Sequence, residues 1–115
     1  MARNHFNCSN MTGVPLEITG EDGQTKLHWE KTVMGNDYMT GLIQPHMVIS
    51  DITLALFEDS GWYMPNYTYA EEYNGNHSHW WGKNRGCDFP KHYSCPLGDP
   101  QSNRTGEFCT LSDIP

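Results

Sequence analysis

Histidines are the side chains of this sequence best suited to bind a metal or exchange protons near neutral pH. There are six: His5, His28, His46, His77, His79 and His92. Only His77 and His79 are close together, and on a strand both rings would lie on one face and could reach one metal. Solvated loop histidines are the more common explanation of such a pair. No HExxH motif occurs, so histidine spacing alone predicts no complete zinc site.

Other catalytic groups are equally sparse. The sequence has no Gly-x-Ser-x-Gly nucleophile elbow and no phosphate-binding loop. Its four cysteines are Cys8, Cys87, Cys95 and Cys109, without a CxxC pair. Oxidised cysteines cannot act as thiolate nucleophiles, so disulfides rather than cysteine catalysis are expected.

The composition limits the class of protein. The 115 residues suffice for one domain, and 14 acidic against 7 basic residues give a formal charge of -7. That charge disfavours binding to nucleic acid or to anionic membrane surfaces. With 4 Trp, 6 Tyr and 4 Phe the chain is too aromatic for a disordered segment. No apolar run is long enough to span a membrane.

Several features favour an exported protein. Asn-x-Ser/Thr sequons begin at Asn7, Asn10, Asn66, Asn76 and Asn103. The sequons at Asn7 and Asn10 follow each other directly, so at most one of them is expected to be used; the glycosylation candidates are Asn10, Asn66, Asn76 and Asn103. The first residues have no apolar signal segment and the last ones no lipid-anchor signal. We therefore expect this chain to be part of a longer extracellular or surface protein, called the parent protein below.

The elements around these residues are predicted to be short. Residues 50–60 form the clear helix, capped by Ser50 or Asp51 and ended by Gly61 in the left-handed conformation. Its Leu54, Leu56 and Phe57 are expected to be buried. One strand is predicted within residues 14–18. Residues 28–47 are predicted as loop with a tight turn near 39–41, and Asp22-Gly23 as a turn. The predicted class is a loop-rich α+β fold with few short strands, stabilised by disulfides.

The order of several motifs resembles the leishmanolysin family of zinc metalloendopeptidases, which are metzincins. The matching segments run from about residue 2 to 95 and include His5-Phe6-Asn7-Cys8, Leu16-Glu17, His28-Trp29-Glu30-Lys31, Met39-Thr40-Gly41, Ile52-Thr53-Leu54-Ala55-Leu56, Glu58-Asp59-Ser60-Gly61-Trp62-Tyr63 and Gly86-Cys87-Asp88-Phe89. The resemblance covers only the carboxyl-terminal part of the catalytic domain. It implies residues 1–90 as that part and 91–115 as the start of a Cys-rich region.

The resemblance also implies site residues. His28 matches the third zinc ligand, and Met39 matches the Met-turn that passes beneath the metal; Met34 is a competing methionine that lacks the following Thr-Gly. Glu30 beside His28 is expected to be a structural partner of Lys31 or another base rather than a catalytic base. The two other zinc ligands and the general-base Glu belong to an HExxH motif that this chain does not contain. The chain would therefore contribute only part of the ligands of one Zn²⁺ site.

The resemblance further implies that Cys8 pairs with Cys87. Cys95 and Cys109 match cysteines whose partners lie beyond residue 115, or they pair with each other, or they are free. Trp62, Tyr63, Trp80 and Trp81 are expected to be packing residues, with lining of a peptide cleft as the lesser alternative.

Two hypotheses of function follow. In the first, the chain is part of an endopeptidase that hydrolyses polypeptide substrates with zinc-activated water, inactive without its amino-terminal catalytic lobe. In the second, it is a non-catalytic secreted glycoprotein module for cell adhesion or protein binding. A third and weaker hypothesis is a pseudoprotease fragment that misfolds.

Overall fold

A computed structural model of the chain describes residues 1–18, 25–70 and 81–89. Three α-helices and two strands lie in these ranges, followed by a 3₁₀ turn at Tyr67–Tyr69: α1 Ala2–Phe6, β1 Leu16–Ile18, β2 Thr25–Trp29, α2 Lys31–Met34 and α3 Asp51–Asp59. The predicted α+β class is confirmed at this coarse level.

Helix α3 confirms the helix predicted at residues 50–60. Ser50 is its N-cap, with the hydroxyl accepting a hydrogen bond from the Thr53 amide at 3.2 Å. After Ser60 the chain leaves the helix through Gly61, whose φ of 74° lies in the left-handed region that glycine adopts without strain. The capping residues thus set both ends of the helix.

The burial predicted for α3 is wrong toward its carboxyl end. Ile52 and Thr53 are buried and Leu54 is half-buried, but Leu56 and Phe57 are 38% and 42% exposed. Only the first turn of the helix packs into the core, so an apolar pattern over the whole helix does not produce burial over the whole helix. The side chain of Phe57 instead meets Tyr63 edge to face, at a centroid distance of 5.4 Å.

Strands β1 and β2 form a two-stranded antiparallel sheet. Leu16 pairs with Trp29 and Ile18 with Thr25, with an irregular register between the two pairs. β1 lies within the predicted strand at residues 14–18. The prediction of loop from residue 28 is wrong, because β2 includes His28 and Trp29 and is followed by α2. Pairing with β1 supplies the hydrogen bonds of a strand whose own sequence lacks a clear period.

The core joins the start of the chain to its later segments. Its buried members are Phe6, Cys8, Met11, Trp29, Val33, Met34 and Ile52. A disulfide links Cys8 to Cys87 over 79 positions of sequence, which confirms the pairing implied by the family resemblance. Phe89 stacks on Phe6 at a centroid distance of 5.9 Å. The disulfide and this aromatic pair hold residues 81–89 against α1.

The tryptophans and Tyr63 differ in their environments. Trp81 is partly buried and its indole N–H donates to the Thr32 carbonyl at 2.9 Å, which confirms a packing role. Trp62 and Tyr63 are 85% and 57% exposed, so the packing prediction is wrong for Trp62 and holds for Tyr63 only through its edge contact with Phe57. They follow the end of α3, beyond the part of the helix that reaches the core.

Some predictions concern residues outside the described ranges. These are the turn at Asp22-Gly23, the pair His77 and His79, and the Cys-rich region at 91–115, together with His92, Asn76, Trp80, Cys95, Asn103 and Cys109. Within the described part of the chain, no helix has the length and apolar character needed to cross a bilayer.

Candidate functional site

Strand β2 presents His28 and Trp29 to different environments. Successive side chains of a strand point to opposite faces. Trp29 is 5% exposed and belongs to the core, whereas His28 is exposed. The buried indole fixes the strand, and the imidazole next to it is left accessible to a ligand.

The turn that contains Met39 lies alongside this strand. The Trp29 amide donates to the Met39 carbonyl at 3.0 Å, and Trp29 and Thr40 form an isolated parallel bridge. Met39 is partly buried and packs against the core cluster. The fold therefore brings the predicted zinc ligand His28 and the predicted Met-turn into neighbouring segments, although ten residues separate them in sequence.

Met34 occupies a different position. It is fully buried at the end of α2 and is a member of the core cluster. It does not lie in the turn beside Trp29, so its role is packing.

A buried carboxylate lies directly beneath the turn. Asp37 is 0% exposed and accepts hydrogen bonds from the Met39 amide at 2.7 Å and the Ser50 amide at 3.2 Å. The hydroxyls of Ser50 and Thr53 also donate to it, the latter at 2.9 Å. We call Asp37, Ser50, Thr53 and Trp29 the Asp37 network. These amide and hydroxyl donors satisfy the carboxylate oxygens, which is how a buried polar group avoids a large desolvation cost.

Each hydroxyl of the Asp37 network both donates and accepts. Thr53 Oγ1 donates to Asp37 and accepts from the Trp29 indole N–H at 2.8 Å. Ser50 Oγ donates to Asp37 and accepts from the Thr53 amide. The network thereby joins β2, the Met39 turn and the start of α3. Sequence reasoning found the cap Ser50 but missed Asp37; the only local signal was an Asp two residues before Met39, a common turn pattern.

Glu30 has a structural role, as predicted, but with different partners. Its carboxylate caps α2 by accepting from the Thr32 amide at 3.4 Å and the Thr32 hydroxyl at 3.1 Å. The Lys31 ammonium donates to the Gly35 carbonyl at 2.6 Å, and partial burial lowers the pKa of Lys31. The two side chains thus tie down opposite ends of the same short helix.

Of the residues predicted for the metal site, His28 can provide one ligand. A neutral imidazole is a suitable zinc ligand, and His28 offers one on an accessible face. Across residues 1–18, 25–70 and 81–89, no group of three or more His, Cys, Asp or Glu side chains is arranged to hold a metal. A catalytic site around His28 would need donors from elsewhere.

The structure also contains a groove of about 650 Å³. It is lined by residues of α1, of the segment after Cys8 and of α3, including Met1, Met11, Trp29 and Leu56. Neither His28 nor Met39 lines it. The groove is therefore not formed by the two residues predicted for the metal site.

Two glycosylation candidates lie in the described ranges, and both are exposed. The Asn10 side-chain oxygen lies 3.1 Å from each sulfur of the disulfide. The Asn66 side chain begins the 3₁₀ turn by accepting from the Thr68 amide at 3.1 Å and the Thr68 hydroxyl at 2.7 Å. Both asparagines are accessible, and their modification stays a prediction.

Comparison with known proteins places these features in a family. The family model described as Leishmanolysin matches residues 1–113. A leishmanolysin-like peptidase of Caenorhabditis briggsae is 46% identical over 88 residues, which are 76% of this chain and 12% of that protein. The leishmanolysin-like peptidase of Drosophila melanogaster is 46% identical over 87 residues, again 76% of this chain and 12% of the relative. The ciliated left-right organizer metallopeptidase of Mus musculus is 35% identical over 106 residues, 90% of this chain and 13% of that protein.

The match is thus nearly complete for this chain and partial for its relatives, since the chain spans about one eighth of their length. It extends over His28, the Met39 turn, α3 and the disulfide-linked segments that form the core. The chain belongs to the leishmanolysin family.

Proposed function

We propose that this chain supplies the third histidine and the Met-turn of a zinc endopeptidase catalytic unit. In this proposal His28 is a metal ligand and Met39 forms the apolar floor beneath it. The other two histidines and the general-base Glu come from an HExxH helix in a preceding lobe of the parent protein. Residues 1–90 are the carboxyl-terminal part of a metzincin catalytic domain, and 91–115 begin a Cys-rich region.

The observation that carries the proposal is the backbone connection between the two predicted segments. The hydrogen bond from the Trp29 amide to the Met39 carbonyl keeps the turn beside the strand that presents His28. The Asp37 network fixes both from beneath. A metal site requires ligands held in place before the metal arrives, and these hydrogen bonds support the proposal by fixing the backbone that carries His28.

Zinc would supply the chemistry that this chain lacks. When bound it polarises a carbonyl group and lowers the pKa of a coordinated water. The contribution of this chain is to hold one imidazole in orientation and to exclude water from the underside through Met39 and the core. The expected substrates are polypeptides, in keeping with the names of the related peptidases.

The proposal is tested by a matched pair of variants in the parent protein. His28→Asn should abolish zinc retention after dialysis against a chelator and reduce peptide hydrolysis to background, because three protein ligands are needed for catalytic zinc. His46→Asn is the control: His46 is also exposed, and Asn tolerates its φ of 60°. Zinc content by elemental analysis and cleavage of a quenched fluorescent peptide are measured.

Retention of zinc and activity by His28→Asn would contradict the ligand assignment. Equal loss in both variants would show a folding defect, and the thermal midpoints of the two variants are compared to recognise it.

The second candidate function is a non-catalytic extracellular module for adhesion or protein binding. The exposure of Trp62 and Met64, at 85% and 98%, beside the exposed sequon at Asn66 favours it. Under this proposal the parent protein would hold no zinc, and Trp62→Ser would weaken attachment to cells without changing stability. An extracellular or cell-surface location is common to both candidates and accords with the disulfide.

A further inference from the structure

Three segments converge on one small space beside His28. A Cβ atom added to Gly41 would lie 2.8 Å from Glu17 Oε2 and 3.3 Å from His28 Nδ1. Glu17 is on β1, His28 on β2, and Gly41 directly follows the Met39 turn. Both atoms therefore lie within 4 Å of one point, and the space at that point is open because residue 41 has no side chain.

The identity of the nitrogen is informative. The ring nitrogen nearest the Gly41 Cβ position is Nδ1, which leaves Nε2 as the nitrogen available to a ligand. Histidines that bind metals nearly always donate their other ring N–H to a carboxylate, a carbonyl or water, and this bond fixes the tautomer and the ring orientation. An ionised Glu only accepts hydrogen bonds, so it suits an Nδ1–H donor.

We propose that Glu17 is a positioning residue for His28: its carboxylate accepts the Nδ1–H of His28, so that the Nε2 lone pair is directed outward to a metal. Within residues 1–18, 25–70 and 81–89, neither side chain forms a hydrogen bond, to the other or to a third group, so both are available for the proposed contact. The inference rests on the proposed function for the metal, but the pairing of the two side chains can be tested without it.

The space at Gly41 explains why the pair can form. Any side chain at this position would lie closer than van der Waals distance to the Glu17 carboxylate and would press on the His28 ring. The φ of Gly41 does not lie in the left-handed region, so an L residue could adopt this backbone conformation without strain. Glycine is needed here because there is no room for a side chain. Gly13, with nothing within 4 Å of its added Cβ, is a matched position where the same change is harmless.

The first test observes the tautomer of His28 in the 115-residue chain by long-range proton–nitrogen NMR of the imidazole. We expect the Nδ1–H tautomer in the natural sequence. Glu17→Ala should shift the ring toward the Nε2–H tautomer that unrestrained histidines favour, while Glu17→Gln retains Nδ1–H because its carbonyl oxygen accepts the same bond. Gly41→Ala should act like Glu17→Ala, and Gly13→Ala should have no effect. A tautomer unchanged by Glu17→Ala would overturn the inference.

The second test measures zinc affinity in the parent protein by competition with a chelator of known affinity. Glu17→Ala should weaken binding roughly 10- to 100-fold, and Glu17→Gln should restore most of it. Asp59→Asn, which removes a charge from the exposed last turn of α3, should leave the affinity unchanged. Equal zinc affinity of Glu17→Ala and the natural sequence would contradict the positioning role even with a folded protein.

The two proposals fail in different ways. If His28→Asn retains zinc, the proposed function is wrong, whereas the tautomer measurement still decides the pairing of Glu17 with His28. If His28→Asn loses zinc but Glu17→Ala changes neither the tautomer nor the affinity, His28 is a ligand and only the role of Glu17 is wrong.

Discussion

The two ends of helix α3 belong to regions with opposite character. The amino-terminal end lies in the Asp37 network, where Ser50 and Thr53 are buried and every hydroxyl both donates and accepts. The carboxyl-terminal end leads into residues 56–64, here called the outer segment, where Leu56, Phe57 and Trp62 are exposed. One helix thus joins a region fixed by polar contacts to a region of exposed apolar surface.

This difference indicates which contacts select one arrangement of the segments in this fold. Apolar side chains are present at both ends of α3, yet only the end with converging hydrogen bonds is buried. Buried polar groups require particular partners in particular positions, so they select one arrangement of β2, the Met39 turn and α3. Apolar contacts alone are less selective.

The largest expected effect comes from removing the centre of the Asp37 network. Asp37→Ala should lower the free energy of unfolding by about 3 kcal/mol, because the Met39 amide and the Ser50 and Thr53 hydroxyls lose their acceptor in a buried place. Urea unfolding followed by tryptophan fluorescence measures it. Asp59→Ala at an exposed position is the control and should change stability by less than about 0.5 kcal/mol. Equal midpoints for the two variants would show that the network contributes no stability.

A smaller, pH-dependent effect is expected where Tyr67, just beyond the outer segment, contacts Glu58 within it. The hydrogen bond to Glu58 raises the pKa of Tyr67 to about 12 from its ordinary value of 10.0, with smaller contributions from desolvation and from the charges of Glu58, Asp59 and Asp51. The folded protein therefore holds this proton more tightly than the unfolded chain does. Its stabilising contribution is complete below pH 10 and is lost as the pH rises toward 12.

Tyrosinate absorbance during an alkaline titration measures this effect. One tyrosine should ionise above the others in the natural sequence, and Tyr67→Phe should remove that late step. Glu58→Gln should move the step back toward 10.0, since the carboxylate is its main cause. A late step that persists in Tyr67→Phe would assign it to another tyrosine.

The smallest effect is expected from the exposed tryptophan. Trp62→Ser should change the free energy of unfolding by less than about 0.5 kcal/mol, because the side chain is 85% exposed and makes little contact with the core. Trp29→Ser at the buried end provides the contrast and should be strongly destabilising. If Trp62→Ser were destabilising by more than about 2 kcal/mol, the outer segment would be part of the core and the contrast drawn here would be wrong.

Sequence reasoning predicted the elements that local chemistry controls. Ser50 caps α3 and Gly61 ends it because a hydroxyl acceptor and a residue free of Cβ strain act within one turn of the chain. The motif order indicated the family and the pairing of Cys8 with Cys87. It also singled out His28 and Met39, which the fold brings into neighbouring segments.

Contacts between distant segments escaped such reasoning. The loop prediction from residue 28 misses the end of β2, because the strand character of His28 and Trp29 comes from pairing with β1. Burial of Leu56 and Phe57 was predicted from an apolar pattern, but a helix is buried only where another element covers it.

By itself, then, the sequence determined caps, turns, charge and the residue types that could bind a metal, because these depend on neighbours a few positions away. Only the tertiary structure decided that Asp37 would gather donors from the Met39 turn and α3, and that Glu17, His28 and Gly41 would share one space. The physical reason is that both arrangements bring together atoms from segments far apart in sequence. These atoms reach their positions only when the core forms.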